Sequence, residues 1–209
     1  MRIISGTARG RRLCTPRTHN IRPALDKVKG AIFNILFNVE GLHILDLFAG
    51  TGAIGLEALS RGARHATFVD SSREAVGIIQ KNIELCGFGE RAKVFPKSVN
   101  IAIEYFAKHG QKFDLIFVDP PYLKNLVNPT LEKIADADIL AGGGKIIVEH
   151  HPKEIIQSPI RTNIPTHQHT NTLIALTDTR KYGQTSVSFL CLAKQPYAPE
   201  VSTRPQKDI

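Results

Sequence analysis

Asp46-Leu47-Phe48-Ala49-Gly50-Thr51-Gly52-Ala53-Ile54-Gly55 decides the fold of this 209-residue chain. It grows out of a short apolar run, His43 to Leu47, and opens a helical pattern from Ala53 to Ser60, so it reads as strand, tight turn and helix in succession. Glycines at 50, 52 and 55 fit the G-x-G-x-x-G spacing, in which a sharp turn lets backbone come close to a ligand. Asp70 closes the next apolar run, His65 to Val69. That is where a nucleotide-binding fold places the acid that meets ribose hydroxyls, so the two turns together imply a cofactor containing adenosine.

Asp46 narrows the choice of cofactor. A dinucleotide site offers a helix N-terminus to a pyrophosphate, and a carboxylate ending the first strand would repel it. The same carboxylate suits a cationic ligand end, such as the ammonium group of a methionine moiety, and it can also organise the loop by accepting backbone N–H bonds. S-adenosylmethionine therefore fits better than NAD. Phe48, Thr51 and Ser71 flank the acids and glycines in these turns and are read with Asp46, Gly50, Gly52 and Asp70 as cofactor-binding candidates.

A second motif, Asp119-Pro120-Pro121-Tyr122, directly follows the apolar run Phe113 to Val118. The carboxylate accepts hydrogen bonds from an amine, the prolines restrict φ and leave carbonyls without a helical partner, and the aromatic ring offers a stacking face. Those are the parts of a grip for a flat, amine-bearing ring. Asp119, Pro120 and Tyr122 are the catalytic candidates, with Asp119 also bordering the cofactor.

The runs Leu45 to Ala63 and Phe113 to Tyr122 resemble the 16S ribosomal RNA guanine-N2 methyltransferases of the RsmD type. The resemblance extends to Arg2-Ile3-Ile4-Ser5-Gly6, to Arg9-Gly10-Arg11-Arg12-Leu13, to Arg22-Pro23 with Phe33-Asn34-Ile35-Leu36, and to Lys181-Tyr182-Gly183. It implies an α/β, Rossmann-like class I methyltransferase with a seven-stranded, mostly parallel sheet whose last strand is antiparallel, preceded by an N-terminal β-hairpin. It implies S-adenosylmethionine as cofactor and 16S rRNA, within a 30S subunit or assembly intermediate, as partner. The implied reaction is methyl transfer to the exocyclic N2 of a guanine. Relatives tend to place Asp or Asn after the third apolar run to meet the adenine amine, and Ser98 stands closest to that position here. Where the family commonly has R-P-T and T-D-R-V-R-E, this chain has Arg22-Pro23-Ala24-Leu25-Asp26-Lys27-Val28-Lys29-Gly30. The lysines keep the charge and lose the bidentate fork of arginine.

Working outward, strands alternate with helical patterns, which argues for βαβ units and a parallel sheet covered on both faces. Helical periodicity runs from Leu25 to Phe37, from Arg73 to Cys86, from Val99 to Lys108 and from Asn128 to Ala137. Further strands are expected at Ala92 to Phe95 and at Lys145 to Glu149 after the turn Gly142-Gly143-Gly144, and Leu173 to Lys181 with Ser186 to Ala193 reads as a hairpin. The expected division is a basic extension over residues 1–20, a methyltransferase domain over 21–194 and a disordered, proline-bearing tail over 195–209.

The net charge is +8, and residues 1–30 carry eight basic residues against the single acid Asp26. Such a cluster supplies sequence-independent attraction to nucleic acid and positions it without reading bases. Arg9, Arg11, Arg12, Arg22 and Lys27 are the RNA-binding candidates from this end, with Arg180 and Lys181 at the closing hairpin. No apolar stretch approaches a membrane span and no signal-peptide core opens the chain, so a cytoplasmic monomer with no membrane association is expected. Cys14, Cys86 and Cys191 lack metal-ligand spacing, as do His150-His151 and His167-x-His169, so no metal is expected. DNA adenine-N6 or cytosine-N4 methylation remains an alternative, since D-P-P-Y grips any exocyclic amine. A non-catalytic RNA-binding assembly factor is the alternative of another class.

Overall fold

Eight strands form one sheet in the order β3-β2-β1-β4-β5-β8-β7-β6 in the computed structural model, which describes residues 1–16, 23–161 and 172–194. The five strands β1 (His43–Leu47), β2 (His65–Val69), β3 (Ala92–Phe95), β4 (Phe113–Val118) and β5 (Leu140–His150) are mutually parallel. β8 (Thr185–Lys194) pairs antiparallel with β5, and β7 (Thr172–Tyr182) pairs antiparallel with β8. The expected seven strands become eight because the two-residue β6 (Ile160–Arg161) adds to the outer edge of β7. A pair that short carries no periodicity for a sequence to display.

The helices cover both faces. α1 (Pro23–Leu36), α2 (Ala53–Ser60) and α3 (Arg73–Cys86) pack on one side with Ile44, Phe117 and Ile147 of the sheet, while α4 (Val99–Lys108) and α5 (Val127–Ala137) pack on the other with Leu47, Val118 and Val148. Period-two alternation produces this division, since each parallel strand must bury both faces. Pro23 opens α1, where its missing N–H costs nothing, and Gly87 ends α3 in the left-handed region. The three glycines before Lys145 do not form a turn outside the sheet. They lie within β5 as an irregularity in its pairing with β4, and a Cβ on Gly144 would stand 3.0 Å from the Asp114 carbonyl oxygen.

The N-terminal segment is pinned to the same core. Its limbs are joined by one bridge, Arg2 to Arg12, with Gly10 N donating to Ile3 O at 2.9 Å, so it is a looped hairpin without regular strands. Ile3, Ala8 and Leu13 are buried, and the fully buried Glu57 of α2 accepts from the amides of Ile4 at 2.8 Å and Ser5 at 3.0 Å. Lys29 and Arg61 supply the counter-charge to Glu57, at 3.3 and 2.8 Å. The open end of the loop lies beside the start of α2, through Met1 Sδ and Thr51 Oγ1 at 3.4 Å, and its tip beside the end of α2, through Thr7 N and Ser60 O at 2.8 Å. Arg22, His167, His169 and the expected tail from residue 195 onward lie outside the described residues.

Candidate active site

Three neighbouring strands end in the same pattern on the face covered by α1. Ile44-x-Asp46 on β1, Phe117-x-Asp119 after β4 and Ile147-x-Glu149 on β5 each continue an apolar alternation into a carboxylate. Register sets Asp119 level with Glu149, one residue past the paired Val118 and Val148, and leaves Asp46 opposite Phe117, two residues short of the other two acids. A cavity of about 140 Å³ opens over them, and Gly50 and Thr51 border it on one side while Asp119 and Glu149 border it on the other. Ligands in open parallel sheets bind at this end of the strands.

The glycine turn is held by acids as well as by conformation. Asp46 is 3% exposed and its Oδ2 accepts from Gly55 N at 3.0 Å. Burial pushes its pKa up to about 7, against the effect of that amide bond, with Asp70 adding a smaller upward push. Asp70 ties the turn to β2, since Oδ2 accepts from Gly50 N at 2.9 Å and Oδ1 from Ser72 N at 2.8 Å. Gly50 and Gly52 both have positive φ, 56° and 74°. A Cβ on Gly55 would lie 2.3 Å from the Phe68 ring, so α2 sits on β2 more closely than any side chain allows. Phe48 itself occupies the left-handed region at φ 60° beside this turn.

The D-P-P-Y corner is fixed by its hydroxyl end. Tyr122 Oη donates to Glu149 Oε1 at 3.0 Å and lies 2.9 Å from Thr185 Oγ1, which joins the loop after β4 to β5 and β8. Glu154 braces the next residues, accepting from Leu123 N at 3.1 Å and His151 N at 2.9 Å. Asp119 has surface open to the cleft, yet protein crowds its carboxyl on the other sides. That burial raises its pKa well above the carboxylate range, and the charges of Glu149 and then Asp46 push the same way. Burial likewise raises Glu149, against the hydrogen bond from Tyr122.

Asp46, Phe48, Gly50, Thr51 and Asp119 thus border one cavity, whereas Asp70, Ser71 and Ser98 stand at the ends of β2 and β3 beyond its lining. Ser98 is exposed at the start of α4 and makes no side-chain cap bond. Arg9, Arg11, Arg12, Lys27, Arg180 and Lys181 are exposed, although Arg11 Nη1 also donates to the Leu85 carbonyl and Arg180 pairs with Asp178 at 2.8 Å. The turn after Lys181 falls at the same end of the sheet as the end of β5, because β7 runs parallel to β5.

Sequence reasoning missed three buried polar residues here. Glu149 ends an apolar run as Asp119 does, so the signal was present. Glu57 is a lone acid within Ile54 to Leu59. Asn82 had no comparable mark, and it proves to link the N-terminal loop to the Thr51 carbonyl at 2.9 Å. His150, for which no metal role is expected, is buried and bonded through Nε2 to Ser188 Oγ at 2.9 Å. Burial lowers its pKa.

A doubly wound sheet with a glycine turn at β1 and an antiparallel β8 beside β5 defines a Rossmann-like methyltransferase. The Conserved hypothetical protein 95 family model matches residues 1–190. Ribosomal RNA small subunit methyltransferase D of Escherichia coli (strain K12) is 37% identical over 150 residues, covering 71% of this chain and 74% of that one. YlbH of Bacillus subtilis (strain 168) is 34% identical over 184 residues, covering 88% of this chain and 100% of that one. The solved structure of yhhF from Escherichia coli superposes with a TM-score of 0.73 at 30% identity, covering 91% of this chain and 96% of that one. The chain belongs to this family, the RsmD-type methyltransferases to which its motifs pointed.

Proposed function

We propose that this protein transfers a methyl group from S-adenosylmethionine to the exocyclic N2 of a guanine in 16S rRNA, acting as a cytoplasmic monomer on the small subunit or its assembly intermediate. The observation that carries the reading is one cavity bordered both by the glycine turn and by Asp119, the first residue of the D-P-P-Y corner. The name of the Escherichia coli relative supports rRNA as the substrate.

The cavity's donor set suits that cofactor. Asp46 offers a buried carboxylate to an ammonium group, and Asp26 Oδ1 is a buried acceptor with no hydrogen bond among the described residues. Gly50 carries no side chain on the open side of the turn, where a Cβ would meet only the Phe48 carbonyl, at 3.9 Å. Asp70 retains lone pairs for ribose hydroxyls, since each of its oxygens accepts one amide. S-adenosylmethionine supplies a sulfonium-bound methyl group, and the chain's own residues provide alignment.

Asp119 accepts from the target amine together with the Pro120 carbonyl. A guanine 2-amino nitrogen is a poor nucleophile because its lone pair is delocalised into the ring, and these bonds favour a more tetrahedral nitrogen carrying developing positive charge. Tyr122 braces the base face, its ring fixed by Glu149 and Thr185. An amine inside a duplex cannot reach the cavity, so the nucleotide comes from a loop or is turned out of its stack. Asp119, with its raised pKa, is suited to take the proton released after transfer.

Labelled S-adenosylmethionine offered with RNA, with DNA and with 30S particles from a strain lacking the gene tests the reading. Label is expected in N2-methylguanosine of 16S rRNA. Label in DNA adenine or cytosine alone contradicts it, and RNA binding without transfer supports an assembly factor instead.

A further inference from the structure

D-P-P-Y grips an exocyclic amine and does not choose among guanine, adenine and cytosine. The choice must come from a neighbour of Asp119 that meets the ring nitrogen beside the amine. Guanine's amine is flanked by N1, which carries a hydrogen, and by the bare N3. On adenine and cytosine the ring nitrogen beside the amine is a bare acceptor. An acceptor placed next to Asp119 would therefore welcome guanine and repel the other two.

Glu149 occupies that place. Because Val118 and Val148 are paired in register on parallel strands, Asp119 and Glu149 follow side by side and on the same face, at the strand spacing of about 4.8 Å. Both border the cavity, and Glu149 is 8% exposed. Its Oε1 is taken by Tyr122 Oη at 3.0 Å, and no described residue donates to its Oε2. Tyr122 thus fixes the carboxylate's orientation while one oxygen remains for a ligand. That second oxygen is not sealed in the protein: among the described residues the buried side-chain oxygen without a hydrogen bond is Asp26 Oδ1, so Oε2 stays open to the cavity, where a ligand can reach it.

We infer that Glu149 sets base specificity: its Oε2 accepts the N1–H of the target guanine while Asp119 and the Pro120 carbonyl hold the 2-amino group. The inference rests on the proposed guanine-N2 reaction and names the residue that makes it guanine-specific. Two adjacent acceptors match the two adjacent donors of the guanine edge. An adenine or cytosine presented to them sets a lone pair against a carboxylate, and a site built to bind an N–H discriminates strongly against a base that lacks it.

The test uses rRNA whose methylated position, mapped first with the wild type, carries either guanosine or 2-aminopurine riboside, which keeps the amine and lacks N1–H. The readout is the ratio of kcat/KM for the two, measured for the wild type and for Glu149→Gln, whose amide N–H can donate to the bare N1. The guanine preference should fall at least about tenfold in the variant. An equal loss on both bases, or a wild type that treats the two alike, overturns the inference. Should Glu149→Gln lose turnover, the ratio of Kd values for the two RNAs, with Glu149→Ala as a second variant and a thermal melt to establish folding, gives the same reading. Wild-type label found in adenine or cytosine would be a different failure, that of the proposed reaction itself.

Discussion

Asn82 clamps Cys14 by both of its backbone polar groups: Cys14 N donates to Asn82 Oδ1 at 2.7 Å and Asn82 Nδ2 donates to Cys14 O at 3.1 Å. The same Nδ2 donates to the Thr51 carbonyl at 2.9 Å, so one fully buried amide on α3 fastens the N-terminal loop to the glycine turn. Asn82→Leu should cost about 2–4 kcal/mol, because it strands polar backbone without replacing its partners. Chemical denaturation measures that loss. Titration calorimetry should also show weaker S-adenosylmethionine binding, since the turn loses its anchor.

Asp46 predicts a pH dependence of stability. Its folded-state pKa of about 7 lies above the usual 3.8. The unfolded chain therefore releases this proton more readily, and stability falls as pH rises from about 4 towards 7, by at most about 4 kcal/mol. Asp46→Asn should flatten this slope in melts taken across that range, while weakening binding of a cationic cofactor. A variant with the wild-type slope would assign the slope to other groups.

Tyr122 does more than offer a ring face. Tyr122→Phe keeps the ring and removes the bond to Glu149, a contact to a carboxylate worth about 1.5–3 kcal/mol. A fall in kcat/KM of roughly tenfold to a hundredfold is expected, with cofactor affinity unchanged. Activity equal to wild type would reduce the residue to stacking.

The basic loop is expected to act on affinity. Its tip lies beside Ser60 at the end of α2, whereas the cavity lies by the start of that helix, about 12 Å away along its axis. Replacing Arg9, Arg11 and Arg12 with Ala should weaken RNA binding and flatten its salt dependence by about 0.7–0.9 per lost phosphate contact. Because these side chains are exposed and do not border the cavity, cofactor affinity should stay near that of the wild type. Binding measured against salt for both ligands separates the two effects.

Much of this fold was legible because periodicity and punctuation agree. The bounds of β1, α2, α3, β3, α4 and β4 follow from apolar runs closed by Gly, Asp or Ser, and the order of strands and helices dictates a parallel sheet. Gly142-Gly143-Gly144 misled because a glycine run signals a turn locally, while pairing with β4 absorbed it into a strand. The two acids of the motifs were visible as strand ends. Glu149 carries the same mark, yet its meaning depends on β5 lying beside β4, and that adjacency exists only in the folded sheet. Asn82 was illegible for a similar reason, since its partners are 68 and 31 residues away in sequence.

A crystal structure of the protein with S-adenosylmethionine bound tests the central claim most directly. The account predicts the ammonium group at Asp46, the ribose towards Asp70 and the methyl group directed at the space beside Asp119. A cofactor lying elsewhere, or one whose methyl group turns away from Asp119 and Tyr122, would contradict it.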